Sequence, residues 1–161
     1  MPHTHHILLV EDNPADVRLM REALNGGVAP KVIHVARTGD EADAYLSGAE
    51  PVPDLVFLDL NLPGKHGLEV LADIRRQPRL APLPVIIFSS SETEEDVRRA
   101  YAATANCYVA KPGSLDRYFS VLADTERFWL STARLPGPDP SPQTAASAPY
   151  EPTEPHACNH P

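Results

Sequence analysis

Residues 57–67 read FLDLNLPGKHG, an apolar run that contains one aspartate, Asp59, and then breaks into Asn, Pro and Gly. Strand-forming residues without polar alternation indicate a strand that is buried on both faces, as in a parallel sheet covered by helices. Asp59 would then lie at the carboxyl end of this strand, where open α/β sheets bind their ligands. An aspartate can also simply begin a turn, so the rest of the chain has to distinguish the two interpretations.

Strand and helix patterns alternate five times along the sequence. The strand-like runs are HILLVED, KVIHVAR, DLVFLDL, PVIIFS and CYVAK, and each is followed by apolar residues at helical spacing. Strands that alternate with helices favour parallel pairing through right-handed crossovers. The pattern therefore predicts a doubly wound α/β domain in three layers, with a five-stranded parallel sheet in the middle.

Several residues mark the expected helix boundaries. Asn13 can cap the first helix, and Pro14 suits its first position. Ser91 and Glu94 have the spacing of a capping box, which predicts that the fourth helix begins at Ser91. Tyr101 is expected to lie on the face of this helix that packs against the core. The last helix is predicted over residues 114–133, where the apolar residues cover an arc wider than one sheet face needs. One face is expected to carry Leu115, Phe119, Leu122 and Trp129. The residues that widen the arc beyond it are Tyr118, Val121, Phe128 and Leu130.

The composition narrows the class of protein. A chain of 161 residues suits one domain, and with a net charge of −8 and no basic stripe it gives little electrostatic support for nucleic-acid binding. Two cysteines, Cys107 and Cys158, suit a reducing compartment. The sequence has neither a run of about 18 apolar residues nor a signal-like start. We therefore expect a soluble cytoplasmic protein with no membrane or nucleic-acid partner.

The composition changes near residue 136. Residues 136–161 contain 8 of the 18 prolines and one aromatic residue, so this segment is predicted to be a flexible tail, and residues 6–135 to be the folded domain. No separate effector domain is expected in that tail. The tail contains His156, Cys158 and His160, whose spacing matches no structural zinc site. At the other end of the sequence, His3, His5 and His6 are interpreted as an exposed terminus.

Polar residues follow four of the predicted strands. They are Glu11, Asp12, Asp59, Ser89 and Lys111. The carboxyl ends of parallel strands share one edge, so these side chains are expected to meet there. Three carboxylates in one crevice repel each other unless a cation compensates, and Mg²⁺ prefers such oxygen ligands together with a backbone carbonyl, here near Asn61.

Asp59 is the candidate nucleophile of this group. A carboxylate beside Mg²⁺ and the Lys111 ammonium can attack phosphorus, because both cations neutralise charge on the transferred oxygens. The Ser89 hydroxyl can donate to a phosphoryl oxygen. Each residue alone has an ordinary explanation: Glu11 and Asp12 as acids near a helix start, Lys111 as a solvated strand end, Ser89 as a cap. Their shared position on one edge favours an aspartyl phosphate at Asp59.

Over residues 6–135 the chain resembles the receiver domains of bacterial two-component response regulators. The resemblance rests on the motifs LLVEDNPADV, LVFLDLNLPGKHGLEVL, PVIIFSSSETEEDV and NCYVAKP. It implies a flavodoxin-like (βα)5 fold with strand order 2-1-3-4-5. It also implies that the protein is not an enzyme beyond its own phosphorylation and autodephosphorylation.

The resemblance assigns roles to individual residues. Asp59 would accept a phosphoryl group from a kinase phosphohistidine. Mg²⁺ would be bound by Asp12, Asp59 and the Asn61 carbonyl, with Glu11 acting partly through water. Ser89 would contact the phosphoryl group, Tyr108 would be the switch aromatic, and Lys111 would precede a cis peptide bond to Pro112.

A narrower similarity connects VEDNPADVRLM, NCYVAKP and FWLSTARLP to the small regulators that accompany bacteriophytochrome histidine kinases. Such a kinase is the implied partner, and a histidine phosphotransfer protein is a further candidate. The signal would leave through the face formed by the fourth helix, fifth strand and fifth helix, which is also the expected homodimer surface.

Two other functions fit parts of the pattern. A haloacid-dehalogenase-like phosphatase also uses an aspartate nucleophile, but it needs a second aspartate two residues later as general acid, where this chain has Asn61. A receiver-like module that binds a ligand and is never phosphorylated is the second alternative. The intact set of Glu11, Asp12, Asp59 and Lys111 argues against it.

Overall fold

The computed structural model describes residues 3–27, 29–48 and 51–137. Five strands form its central sheet: β1 (His5–Val10), β2 (Lys31–Ala36), β3 (Leu55–Leu58), β4 (Val85–Ser89) and β5 (Cys107–Ala110). All paired strands are parallel, and their order is β2-β1-β3-β4-β5. The predicted flavodoxin-like order is thus confirmed.

In the described residues, four helices connect consecutive strands and a fifth follows β5; together they cover both faces of the sheet. They are α1 (Pro14–Asn25), α2 (Gly39–Ser47), α3 (Gly67–Arg76), α4 (Glu94–Ala102) and α5 (Leu115–Arg127), and a π-helical segment (Phe128–Thr132) follows α5. None of these described helices is long and apolar enough to cross a membrane.

Alternate residues of the strands enter two separate cores. On one face Leu8, Val56 and Ile87 pack with residues of α2, α3 and α4. On the other face Phe57 and Phe88 pack with residues of α1 and α5. Each central strand therefore buries both of its faces, which explains the continuous apolar runs in the sequence and confirms the three-layer prediction.

The start of α4 differs from the prediction. Its cap is Thr93, whose hydroxyl accepts a hydrogen bond from the Asp96 amide, so the helix begins two residues later than the Ser91 spacing indicated. The Ser91 hydroxyl instead donates to the Asp96 carboxylate at 2.5 Å. Tyr101 was expected to point inward but is 50% exposed, because Ala100 faces the core.

The inward face of α5 also differs from the sequence interpretation. Tyr118 and Leu122 are buried there, so Tyr118 belongs to the core and does not widen an outer surface. Leu115 and Phe128 are the exposed apolar residues, at 56% and 52%. The helix starts close to the predicted residue 114, with Ser114 as its cap, but regular α-helix ends at Arg127, before the π-helical segment.

The histidines near the N-terminus only partly fit the expected exposed terminus. His3 is exposed, as expected, but His5 and His6 are half-buried residues of β1, since this strand pairs with β2 from its first residue. The predicted tail starts at residue 136. Its residues 138–161, with the His156, Cys158 and His160 group, lie outside the described part of the chain.

Candidate functional site

The predicted polar residues meet at the carboxyl edge of the sheet. Glu11 follows β1, Asp59 follows β3, Ser89 ends β4 and Lys111 follows β5. Glu11 and Asp59 are 2% and 6% exposed, and Ser89 is fully buried. The parallel register explains this convergence, because Asp59 N donates to the Val10 carbonyl and Lys111 N donates to the Ser89 carbonyl.

Lys111 is the cation at the centre of this acidic pocket. Its ammonium nitrogen lies 2.6 Å from Glu11 Oε2, 3.1 Å from Asp16 Oδ2 and 3.5 Å from Asp59 Oδ2. It also lies 5.9 Å from the centre of the Phe88 ring. The ammonium therefore contacts the proposed nucleophile while its main partner is Glu11.

The pocket is electrostatically crowded. Burial raises the pKa of Glu11 to about 7; the nearby Asp59 charge acts in the same direction, and the Lys111 hydrogen bond opposes it. Burial alone would lower the pKa of Lys111, but the hydrogen bonds and charges of Glu11, Asp59 and Asp16 outweigh it and raise that pKa. The lysine stays charged, and the carboxylates retain an excess of negative charge.

Three carboxylates could share one cation in this pocket. Glu11, Asp12 and Asp59 each place one ligand oxygen within 4.8 Å of the others. Asp12 is exposed while its two partners are buried, so a hydrated ion can approach from solvent. All ligands are hard oxygens, which fits Mg²⁺ or Mn²⁺ and suits a site that keeps several waters. Asn61 lies beside them, and its backbone N–H donates a hydrogen bond to Asp59 Oδ1 at 3.4 Å.

Ser89 and Tyr108 are linked through Ser91. The Ser91 amide donates to Ser89 Oγ at 3.2 Å, and the Tyr108 hydroxyl donates to the Ser91 carbonyl at 2.8 Å. Tyr108 is half-buried, and its own amide donates to the hydroxyl of Tyr101 on α4. A displacement of Ser89 would therefore reach the α4–β5 face through two hydrogen bonds.

The expected cis peptide bond after Lys111 is absent. Every peptide bond of the described residues is trans, including the one that joins Lys111 and Pro112. The trans form is the lower-energy state of an X–Pro bond. With this trans bond, the Lys111 ammonium still contacts the carboxylates of Glu11 and Asp59.

Sequence reasoning missed two polar residues of the pocket. Asp16, in the first turn of α1, contacts Lys111 through one carboxylate oxygen and accepts a hydrogen bond from the Tyr118 hydroxyl through the other. The position of Asp16 after the Asn13 cap was the available signal, since a first-turn side chain of α1 lies above the carboxyl edge. Nothing in the α5 pattern distinguished Tyr118 from its apolar neighbours.

A glycine outside the predicted site also shapes it. Gly67 begins α3, and its amide donates to the Leu60 carbonyl at 2.9 Å. A Cβ on Gly67 would overlap the Asp59 carbonyl oxygen and lie 2.8 Å from the Leu60 Cα. The absence of a side chain thus lets α3 start directly against the strand end that carries Asp59.

Comparison with known proteins agrees with this arrangement. Residues 7–123 match the family described as response regulator receiver domain. The chain is a response regulator receiver domain. Members of this family act in two-component systems, where a histidine kinase is their partner and an aspartate is typically phosphorylated; the family is a signalling family and not one of conventional phosphatases. Receiver domains also bind divalent metal ions.

Named relatives of this receiver domain include phytochrome regulators. Response regulator Rcp1 of Synechocystis sp. is 41% identical over 135 residues, which cover 81% of this chain and 92% of that protein. The crystal structure of the phosphorylated cyanobacterial phytochrome response regulator RcpA superposes with a TM-score of 0.81 at 44% identity, covering 84% of this chain and 100% of that one.

A third comparison concerns a metal-bound structure. The Mn²⁺-bound form of Rcp1 superposes on this receiver domain with a TM-score of 0.79 at 40% identity, covering 83% of this chain and 99% of that one. The receiver domain is therefore homologous to phytochrome response regulators over nearly their whole length.

Proposed function

We propose that this receiver domain accepts a phosphoryl group on Asp59 from the phosphohistidine of a bacteriophytochrome histidine kinase. The observation that carries the proposal is the position of Asp59, a nearly buried carboxylate that lies 3.5 Å from the Lys111 ammonium and within one three-carboxylate cluster. A nucleophile in this setting has compensating positive charge beside it before any phosphoryl group arrives.

The transfer has a simple balance. An Asp59 carboxylate oxygen forms a bond to phosphorus while the bond from phosphorus to the imidazole nitrogen of the kinase breaks, and the electron pair of that bond stays on the imidazole. Lys111 stabilises charge on the transferred oxygens, and the Ser89 hydroxyl donates to one of them. Hydrolysis of the acyl phosphate by water then restores Asp59, which is the autodephosphorylation expected of the protein.

Mg²⁺ is the proposed cofactor. Glu11, Asp12 and Asp59 would hold it, together with the backbone carbonyl of Asn61. When bound, the ion supplies positive charge to the phosphoryl oxygens. The support from this chain is the donor set, since three carboxylates with one lysine leave a net negative pocket that favours a hard divalent cation.

The output is proposed to be a change in the face formed by α4, β5 and α5. Ser89 would move toward the phosphoryl group, and the Ser91 and Tyr108 hydrogen bonds would transmit that movement to β5. Tyr101, Leu115 and Phe128 are large, exposed apolar side chains of α4, α5 and the π-helical segment, and we propose that they take part in homodimer formation.

We also propose domain bounds and a further partner for this receiver domain. Residues 6–135 would form the receiver domain, and residues 136–161 a separate proline-rich segment. A histidine phosphotransfer protein is a second candidate partner for phosphoryl exchange. The net charge of −8, without a basic stripe, supports a cytoplasmic signalling role with neither a nucleic-acid nor a membrane partner.

The kinase assignment is tested by phosphoryl transfer. A bacteriophytochrome histidine kinase and an unrelated histidine kinase are each autophosphorylated with labelled ATP and mixed with the receiver. We expect label to move to the receiver at least tenfold faster from the bacteriophytochrome, since kinase–receiver pairs are discriminated by their contact surface. Equal transfer rates from the two kinases would contradict the assignment.

A further inference from the structure

A second group of metal-ligating side chains lies at the opposite edge of the sheet, where the strands begin. His5 is the first residue of β1, and His3 precedes it by two residues. Asp54 immediately precedes β3, the neighbour of β1, and meets them there. Ligand atoms of these three residues lie within 4.8 Å of one another.

The backbone fixes the carboxylate of this group in place. Asp54 N donates to the His6 carbonyl at 2.7 Å, and His6 N donates to Asp54 Oδ2 at 2.8 Å. Asp54 is therefore held by the pairing of β1 with β3, while Oδ1 is approached only by His3 among the hydrogen bonds of the described residues. A carboxylate held in this way is a pre-organised ligand.

The distances between these ligand atoms are compatible with a shared metal ion. His3 Nε2 lies 3.3 Å from both Asp54 oxygens, and His5 Nδ1 lies 3.8 Å from Oδ2, too far for a hydrogen bond. Metal–ligand bonds of about 2.0–2.1 Å place neighbouring tetrahedral ligand atoms about 3.3 Å apart. The His3–Asp54 distance of 3.3 Å matches this separation, and the His5–Asp54 distance of 3.8 Å is slightly longer.

His5 supplies the second independent observation. Its Nδ1 atom is buried and makes no hydrogen bond within the described part of the chain. A buried imidazole nitrogen that faces a carboxylate without bonding to it needs a partner.

We propose that His3, His5 and Asp54 form a second metal site that binds a borderline transition-metal ion such as Zn²⁺. Two imidazoles and one carboxylate are a common zinc ligand set, whereas Mg²⁺ prefers oxygen ligands alone. His3 and Asp54 line a cavity of about 790 Å³, from which water can reach the fourth position. The ion would fasten the N-terminal segment to the loop before β3.

The test is calorimetric titration of the full-length chain with ZnCl2 in excess MgCl2, which occupies the acidic pocket. The parent for all variants carries His156→Gln, Cys158→Ser and His160→Gln. These substitutions remove the C-terminal side chains that could also bind zinc. His3→Gln is the main variant, because the His3 side chain is 65% exposed and its replacement is expected to leave the fold intact. His6→Gln is the matched control, since it alters the same segment but its ring contacts His34.

We expect the parent and His6→Gln to bind one equivalent of zinc, and His3→Gln and Asp54→Asn to lose it. Zinc should also raise the thermal unfolding midpoint of the parent and of His6→Gln, but not that of His3→Gln. A parent that binds no zinc, or a His3→Gln protein that binds zinc as tightly as its parent, would overturn the proposal.

Discussion

The Tyr118 hydroxyl donates a hydrogen bond to Asp16 Oδ1 at 3.1 Å and thereby joins α5 to the first turn of α1. Asp16 Oδ2 lies at the same distance from Lys111 Nζ. Burial, reinforced by Asp16, raises the pKa of Tyr118 above its usual range, so the phenol remains a donor at neutral pH. The acidic pocket is thus held from the α5 side by a neutral tyrosine.

Removing this hydroxyl should weaken the fold modestly. We expect Tyr118→Phe to lower the free energy of unfolding by about 0.5–1.5 kcal/mol, the usual net value of one hydrogen bond. Asp16→Ala, alone and combined with Tyr118→Phe, completes a double-mutant cycle measured by urea denaturation. A coupling energy near zero between the two substitutions would show that the contact contributes nothing.

The ion pair of Lys31 and Glu126 should contribute more to the free energy of unfolding than the Tyr118–Asp16 hydrogen bond does. Lys31 Nζ lies 2.5 Å from Glu126 Oε1, and both side chains are almost fully buried. Lys31→Met leaves the Glu126 charge unpaired, so we expect a loss of about 3–5 kcal/mol in unfolding free energy. Adding Glu126→Leu should recover most of that loss.

The neighbouring Asp124→Ala serves as control for this pair. Asp124 is an exposed residue of the same helix, and its removal should change stability by less than about 0.5 kcal/mol. If Lys31→Met proves no more harmful than Asp124→Ala in chemical denaturation, the pair is not buried in solution.

A methyl group at Gly67 should disturb the phosphorylation site. Its Cβ would collide with backbone atoms of Asp59 and Leu60, which cannot rotate away, so we expect Gly67→Ala to cost about 1–3 kcal/mol of stability and to slow phosphorylation. Gly113→Ala is the matched control, because no atom lies within 4 Å of its added Cβ. Equal effects of the two substitutions on the melting temperature and the phosphorylation rate would refute the role of Gly67.

Tyr108 should matter for output and not for phosphorylation. Tyr108→Ala removes the hydroxyl that bonds the Ser91 carbonyl, so Asp59 should still be phosphorylated while the signal no longer reaches β5. Analytical ultracentrifugation before and after treatment with acetyl phosphate measures the outcome. We expect self-association to increase on phosphorylation in the parent and to stay constant in Tyr108→Ala.

The control for this prediction is Leu115→Ser, which changes an exposed residue of α5 and should weaken association without affecting the switch hydrogen bonds. A Tyr108→Ala protein that associates on phosphorylation as strongly as the parent would show that Tyr108 does not transmit the signal.

The fold and the main pocket residues could be predicted because they depend on repeated, local patterns. Apolar runs such as the one that ends at Asp59 give the strands, and parallel pairing then brings the strand ends together regardless of side-chain detail. The five polar residues at that edge needed only this topology to be found.

The features that were missed depend on packing in three dimensions. Thr93 replaced Ser91 as the cap of α4 because Ser91 bonds to Asp96, and both residues suit the cap position equally in sequence. The sequence did not show that Tyr118 is buried and Leu115 exposed, because this depends on the rotation of α5 about its axis. His3 and His5 gained a partner only when β3 brought Asp54 beside β1.

The most direct test of the account is phosphorylation of Asp59 itself. The full-length protein is incubated with labelled acetyl phosphate and MgCl2, beside Asp59→Asn and a sample in EDTA. We expect one alkali-labile phosphoryl group per chain in the parent, and none in Asp59→Asn or without divalent ion. Label retained on Asp59→Asn at the parent level would contradict the assignment of Asp59 as the phosphoryl acceptor.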